Sequence, residues 1–529
     1  HSWYRRQRQM CIRDRSRKKH EGIFGESVLL CRKNQYADVM LLLGMVLAFE
    51  SPDFVREVQP ILSSRCFACH GPDAAAREGE LRLDLREDAL HSAIVPGDAA
   101  ASMLIDRVRA GGSKRMPPVS HGAGLTEHEI GILEAWINDG ATYQPHWAWS
   151  PLARDDGRSI DEHLAEGFAG LAPNAPATGG VVLRRTWLAV VGLPPPREVV
   201  LSFPDVPTDE EWSAAVDEVL HHEGFGEHWA SMWLDLARYA DTKGYEADRA
   251  RTIWPWREWL VATLDTDPAF ATLTEHMLAG DLLPEANAET RLATAFHRNT
   301  MTNDEGGTDD EEHRVAAVVD RVNTTMQVWM GFTASCAQCH DHKYDPMTQR
   351  EYFALFDVFN QTADADRNDE TPTIDVVSRS NSGADPVPVP VMEALSEDDR
   401  RETRVQIRGN YRDLGELVQA GFPEAFHSGP SAPSRLDLAR WLCAPENPLT
   451  PRVQANRIWA RMFGRGLVET EEDFGRQGTV PTHPELLDAL AARWLSDEGR
   501  LRPVLKRLLM TDAWRRTSSA TPEALAVDP

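Results

Sequence analysis

The chain has 529 residues, enough for about three domains at the usual size of roughly 100 to 200 residues each. Hydrophobic residues make up 42% and charged residues 26%, as is typical of a water-soluble globular protein, and no run of about 18 apolar residues offers a membrane span. The net charge of −26 argues against nucleic acid as a partner, because binding to phosphates requires a basic face. The composition therefore excludes an integral membrane protein and disfavours a nucleic-acid-binding protein.

Residues 1–50 are predicted to contribute nothing to the fold. The first part lacks an apolar period, and residues 9–15 resemble a translated sequencing adapter. Arg32 and Lys33 then precede the apolar run 39–49, in which small residues are placed as they are before a signal-peptide cleavage site. We interpret this run as an export signal, and a frayed hydrophobic N-terminus is the alternative.

A cytochrome c-like helical domain is predicted for residues 51–145. Apolar residues within 54–62 share one face of a helix that leads into the first motif, Cys66-x-x-Cys69-His70. This pattern attaches a c-type haem, because each thiol adds to a porphyrin vinyl group and the histidine becomes the proximal ligand of the iron.

The sixth ligand of this iron is predicted to be Met116, in a loop rich in glycine and proline that cannot be a regular helix. His/Met ligation is typical of electron-transfer cytochromes c and leaves no coordination position for a substrate. Met103 is the alternative thioether, but it lies in a stretch with a helical pattern. Beyond the loop, Thr126 and Glu129 predict a capping box at the start of the helix that closes the domain.

Residues 146–180 are predicted to be a linker, and residues 181–365 a helical domain that carries a second haem. The second motif, Cys336-x-x-Cys339-His340, is the reason for this prediction. Four cysteines could instead hold zinc, but paired zinc knuckles usually lie about 15 to 20 residues apart. Here the two cysteine pairs are separated by about half of the chain, so haem is preferred at both motifs.

The distal ligand of the second iron cannot be chosen from the spacing. His342 is too close in sequence to His340 to reach the opposite face of the porphyrin, and we expect it to hydrogen-bond a haem propionate or the backbone. Candidates elsewhere in the domain are His297, Met301, His313 and Met326. Without any of them the iron would be five-coordinate and reactive.

Residues 366–432, rich in proline, serine and aspartate, are predicted to be a connector, and residues 433–529 a C-terminal helical domain. Capping boxes predict the start of a helix at Thr208 in the middle domain and at Thr482 in the last one. We therefore expect a mainly α fold, with irregular connectors between its helical domains.

Three groups of ordered stretches carry a family resemblance. The first group is residues 66–72, 94–98 and 115–118. The second is residues 184–185, 192–195, 233–241, 244–246, 279–284, 303–308 and 336–346, and the third is residues 447–449, 456–459, 463–468, 473–475 and 483–486. The first group resembles the planctomycete-type cytochrome c domain, and the other two resemble the uncharacterised domains that follow it in planctomycete-type di-haem proteins. Family members continue beyond the equivalent of Pro529, so the resemblance implies a chain that is incomplete at its C-terminus.

The motifs and the resemblance together predict an exported di-haem c-type cytochrome, with two covalently attached haem c groups, that transfers electrons to or from an unknown redox partner protein. Bacteria attach haem c outside the cytoplasm, so we expect a periplasmic or cell-surface location. The alternative is a di-haem oxidoreductase with an open second haem, and family analogy alone suggests a carbohydrate-related substrate for it. The residues that would shape its substrate site are Arg238, Asp241, His342 and Lys343.

Overall fold

The computed structural model describes residues 52–74, 76–168, 171–303, 306–364, 369–519 and 522. Residues 1–50, which we interpreted as an adapter-like segment and an export signal, lie outside the described residues. So do residues 523–529, on which the predicted C-terminal incompleteness bears. In the described residues the fold is mainly α, with two small sheets, which confirms the predicted fold class. None of the helices in these residues is long and apolar enough to cross a membrane.

The first helical unit has its own hydrophobic core. A π-helical turn (Phe54–Val58), capped by the carboxylate of Asp53, leads directly into its first α-helix. Leu62 and Leu133 are buried at the centre of this core. The α-helices of the unit are α1 (Gln59–Arg65), α2 (Phe67–His70), α3 (Arg86–Ser92), α4 (Met103–Arg109) and α5 (Glu127–Asn138), and its 3-10 turns are Gly112–Lys114 and Val119–His121.

The predicted capping box at the start of α5 is confirmed. The Thr126 hydroxyl accepts the N–H of Glu129 at 3.2 Å, and the Glu129 carboxylate accepts the N–H of Thr126 at 2.6 Å. Glu129 also forms an ion pair with Arg65 at 3.1 Å. The start of α5 is thereby tied to the residue that immediately precedes the first motif.

The body of the molecule follows, and it begins inside the predicted linker with a 3-10 turn (Trp147–Trp149). Its helices as far as residue 364 are α6 (Ile160–Glu166), α7 (Gly179–Val191), α8 (Arg197–Ser202), α9 (Asp209–Leu220), α10 (Phe225–Ala237), α11 (Trp254–Asp265), α12 (Phe270–Ala279), α13 (Ala288–Ala293), α14 (Asp310–Met330) and α15 (Gln349–Asn360), with 3-10 turns at Thr294–Arg298 and Ala334–Gln338. Thr208 caps α9 in a box with Glu211, as predicted.

The segment predicted to be a connector forms two antiparallel hairpins. Strand β1 (Thr373–Val376) pairs with β2 (Val387–Pro390), and β3 (Thr403–Gln406) pairs with β4 (Leu414–Val418). Strand β3 packs against α15, which brings this hairpin close to the second motif. The sequence pattern did not predict these strands, because each has only four or five residues.

The last helices are α16 (Arg435–Leu442), α17 (Leu449–Phe463), α18 (Pro484–Ser496), α19 (Leu501–Leu509) and α20 (Asp512–Arg515). The predicted capping box at Thr482 is wrong, because α18 begins one residue later, with His483 as its N-cap and Pro484 as its first residue. The Thr482 hydroxyl bonds the ring of His483 at 3.1 Å instead of capping the helix.

The body has one continuous core that runs from the predicted linker to the last helices. Ile160, Trp329 and Leu505 all belong to it, although they come from three predicted segments. A buried hydrogen bond joins early and late parts of this core: the Trp514 indole donates to the hydroxyl of Thr186 at 2.8 Å. The C-terminal helices therefore complete the core of the middle region.

Candidate haem sites

The first motif lines a cavity of about 420 Å³. Cys66 ends α1 and begins α2, and the N–H of His70 donates to the carbonyl of Cys66 at 2.9 Å. This short turn places Cys66, Cys69 and His70 on one wall of the cavity. The volume is within the usual range of roughly 300 to 1,000 Å³ for small-molecule and cofactor sites.

The donor set of the first motif fits a covalently bound haem. Cys66 and Cys69 are free thiols, and burial raises the pKa of Cys66 to about 12. Burial lowers the pKa of His70, which favours the neutral imidazole that a metal ligand requires. Two unpaired thiols and a neutral imidazole are what haem c attachment requires.

Met116 lies on the wall of the same cavity. Its N–H donates to the carbonyl of Arg107 at 2.9 Å, and the Arg115 guanidinium orders the loop by donating to the carbonyl of Pro117 at 3.1 Å. The cavity is also lined by Met103, whose side chain is about half exposed at the start of α4, and by His121. The structure thus brings Met116 into the site of His70, and its choice over the other two side chains stays a prediction.

The second motif lies at the surface of the body. Cys336 and Cys339, both exposed free thiols, lie in and directly after the 3-10 turn Ala334–Gln338. His340 is 45% exposed, and its Nδ1 donates to the carbonyl of Asp341 at 2.6 Å. Because Nδ1 carries the proton in that bond, Nε2 keeps a lone pair for a metal. These residues also fit haem c, with the group attached at the surface.

His342 interacts with the backbone, which is one of the two roles expected for it. Its Nδ1 accepts the N–H of Asp345 at 2.8 Å, and its ring is buried. Burial lowers the pKa of His342 to about 4, so the ring is neutral and holds the turn that follows the second motif.

The four candidate distal ligands of the second iron interact with other parts of the body. His297 is buried and lies 3.3 Å from the hydroxyl of Thr325, and Met326 belongs to the body core. Met301 is about half exposed and lies beside Gly244, while His313 packs edge-on against Tyr245. These contacts favour none of the four as a ligand.

Three of the four proposed substrate-site residues, Arg238, Asp241 and His342, make contacts within the fold. Arg238 ends α10 and forms an ion pair with Asp320 at 2.6 Å, and Asp241 accepts the phenol of Tyr239 at 2.6 Å. In the described part of the chain, no cluster of three or more histidine, cysteine, aspartate or glutamate side chains is arranged to hold a metal ion.

The segment that follows the first motif lies against the second motif in the folded molecule. Asp73, three residues after the first motif, has a carboxylate oxygen 3.7 Å from Nδ1 of His340. Tyr344, which follows the second motif, packs against the core of the first helical unit. No pattern of residues indicated this contact, because the two segments are about half of the chain apart.

Arg476, from the C-terminal region, touches the first motif and the segment that follows the second motif. Its guanidinium lies 5.4 Å from the ring centre of Phe67, inside the first motif, and 5.2 Å from that of Trp149. The same group donates to the carbonyl of Tyr344 at 2.8 Å, and the Arg476 N–H donates to the Asp345 carboxylate at 2.9 Å. Three distant parts of the chain thus converge between the two candidate sites.

Three family models match the chain, in the order that the resemblance implied. Residues 66–120 match the model described as Planctomycete cytochrome C. Residues 158–364 match Protein of unknown function (DUF1549), and residues 434–529 match Protein of unknown function (DUF1553). No curated protein and no solved structure matches the chain.

Residues 66–120 therefore belong to a cytochrome c domain, which implies covalently bound haem c. The chain belongs to the family in which a planctomycete cytochrome c domain is followed by these two domains of unknown function.

Proposed function

We propose that this protein is an exported di-haem c-type cytochrome that relays electrons between its two haems and a redox partner protein. The contact between Asp73 and His340 carries this proposal, because a second haem at His340 would lie next to the domain that would hold the first. Residues that would hold the first haem are Cys66, Cys69, His70 and Met116, and those that would hold the second are Cys336, Cys339 and His340.

When bound, each haem c supplies a one-electron Fe(III)/Fe(II) couple. The side chains of the protein decide how the couple is used. His70 and Met116 would both hold the first iron, which suits electron transfer and leaves no place for a substrate. The exposed Cys336, Cys339 and His340 would keep the second group at the surface, where a partner protein can approach it.

Haem content tests this proposal directly. The protein is produced in a bacterial host that exports it and attaches haem c, and the haems per chain are measured by the pyridine haemochrome spectrum and intact mass. We expect two haems in the wild type and one when both cysteines of either motif are changed to serine. Cys443→Ser, a change at a half-buried cysteine outside the motifs, is the matched control and should keep two.

A colourless exported protein, or one that contains zinc, would refute the proposal. A wild type that carries only one haem, with that haem still present after the Cys336→Ser/Cys339→Ser change, would refute its two-haem part. The location of the haem protein in the periplasmic or surface fraction tests export, because attached haem found only in cytoplasmic material would contradict it.

The exposure of His340 supports a second candidate function, a haem oxidoreductase with an open second iron. The two candidates differ in how they react with carbon monoxide. Binding of carbon monoxide by one of two reduced haems would favour the oxidoreductase, and no binding would favour simple relay.

A further inference from the structure

The turn after the first motif holds Asp73 in one place. A Cβ at Gly71 would lie 2.4 Å from the carbonyl oxygen of Phe67, so the backbone there is closely packed. The Arg77 guanidinium donates to the carbonyl of Pro72 at 2.9 Å, and the side chain of Asp73 is only 7% exposed. The position of this carboxylate is therefore set by the cytochrome c domain.

This carboxylate lies close to His340, the histidine of the second motif. Its Oδ2 lies 3.7 Å from Nδ1 of His340, the same nitrogen that donates to the carbonyl of Asp341 at 2.6 Å. The His340 ring is 45% exposed, so packing alone constrains it weakly. Histidine ligands of metals usually donate their second nitrogen to a carboxylate or a carbonyl, which orients the ring and raises its basicity.

We propose that Asp73 is a positioning residue for His340, through which the cytochrome c domain orients the proximal ligand of the second haem and lowers its reduction potential. This inference rests on the proposed function, because it requires a haem at the second motif. The negative charge of Asp73 next to Nδ1 makes His340 a stronger electron donor and favours the ferric state. The first haem, which is ligated by other residues, is affected less.

The test is the reduction potential of each haem in Asp73→Asn, measured by spectroelectrochemistry on the whole di-haem protein. The Cys336→Ser/Cys339→Ser variant would contain the first haem alone. Its single potential belongs to the first haem, and the other potential of the wild type therefore belongs to the second. We expect Asp73→Asn to raise the potential of the second haem more than that of the first. Asp73→Glu, which restores a carboxylate, should bring it back towards the wild-type value.

Asp88→Asn is the matched control, because it removes the same charge from an exposed position of the same domain, and it should move neither potential. Two haems with an unchanged second potential in Asp73→Asn would overturn the inference and leave the proposed function intact. One haem per wild-type chain would overturn the proposed function itself, so the two failures are distinguishable. An intact spectrum of the first haem shows that the variant is folded.

Discussion

Acidification is expected to weaken the junction between the cytochrome c domain and the body through His146. This histidine is buried, its Nδ1 accepts the N–H of Ala148 at 3.4 Å, and its ring lies 4.5 Å from that of Trp149. Burial, together with the positive charges of Arg476 and Arg452, lowers its pKa from 6.5 to about 3. The folded protein therefore holds this imidazole neutral under conditions in which the unfolded chain protonates it.

The sign of the effect follows from proton binding. Between pH 6.5 and about 3 the unfolded state binds a proton at His146 that the folded state does not, so the free energy of unfolding falls as the pH falls. Each pH unit in that window removes about 1.4 kcal/mol. From about pH 7.5 to about pH 4.5, His146 alone should lower the stability by about 3 kcal/mol.

Urea unfolding of the wild type and His146→Asn at about pH 7.5 and pH 4.5 measures this contribution. The asparagine oxygen can still accept the N–H of Ala148 but does not titrate. Other groups that respond to pH, including the buried His297, are present in both proteins and cancel in the comparison. The wild type should lose about 3 kcal/mol more than the variant on acidification. Equal losses in the two proteins would show that His146 is not held neutral.

Three further substitutions have defined expected outcomes. Met116→Ala should let the reduced first haem bind carbon monoxide, whereas Met103→Ala should not, and the reverse result in optical spectra would identify Met103 as the ligand. Gly409→Ala should lower haem occupancy at the second motif in intact-mass measurements, because φ at Gly409 is +71° and a Cβ there would lie 2.8 Å from the sulfur of Cys339. Gly464→Ala is the control: φ at Gly464 is +84° and a Cβ there meets open space, so this variant has the backbone strain alone and should keep two haems. Asp364→Asn should lower the free energy of unfolding, measured in urea, by about 3 to 5 kcal/mol, because it leaves the buried Arg321 without its ion-pair partner. A loss below about 1 kcal/mol would contradict the importance of this ion pair.

Local signals in the sequence predicted the helices well. The capping box of Thr126 was identified correctly because its two hydrogen bonds join residues within one helical turn. The box predicted at Thr482 failed because Pro484 starts the helix one residue later, and a pattern of residue types does not specify where the helix begins. The short strands of the predicted connector lacked a period long enough to be recognised.

The candidate ligands were predictable to different extents. Cys66 and His70 share a wall of the cavity because five consecutive residues contain the whole attachment chemistry. Met116 could be proposed as a partner because it lies in a loop within the same domain. Met103 was the less favoured thioether, and the sequence did not point to His121. Both line the cavity because α4 and the following turns pack around it.

The amino-acid sequence by itself determined which side chains can be joined to haem and which segments form helices, because both depend on residues that are neighbours along the chain. Only the tertiary structure decided that Asp73 meets His340 and that Arg476 bridges Phe67 and Tyr344. Such contacts join segments that are far apart in sequence. They arise from the burial of apolar surface shared by the whole fold, and no local pattern of residues specifies them.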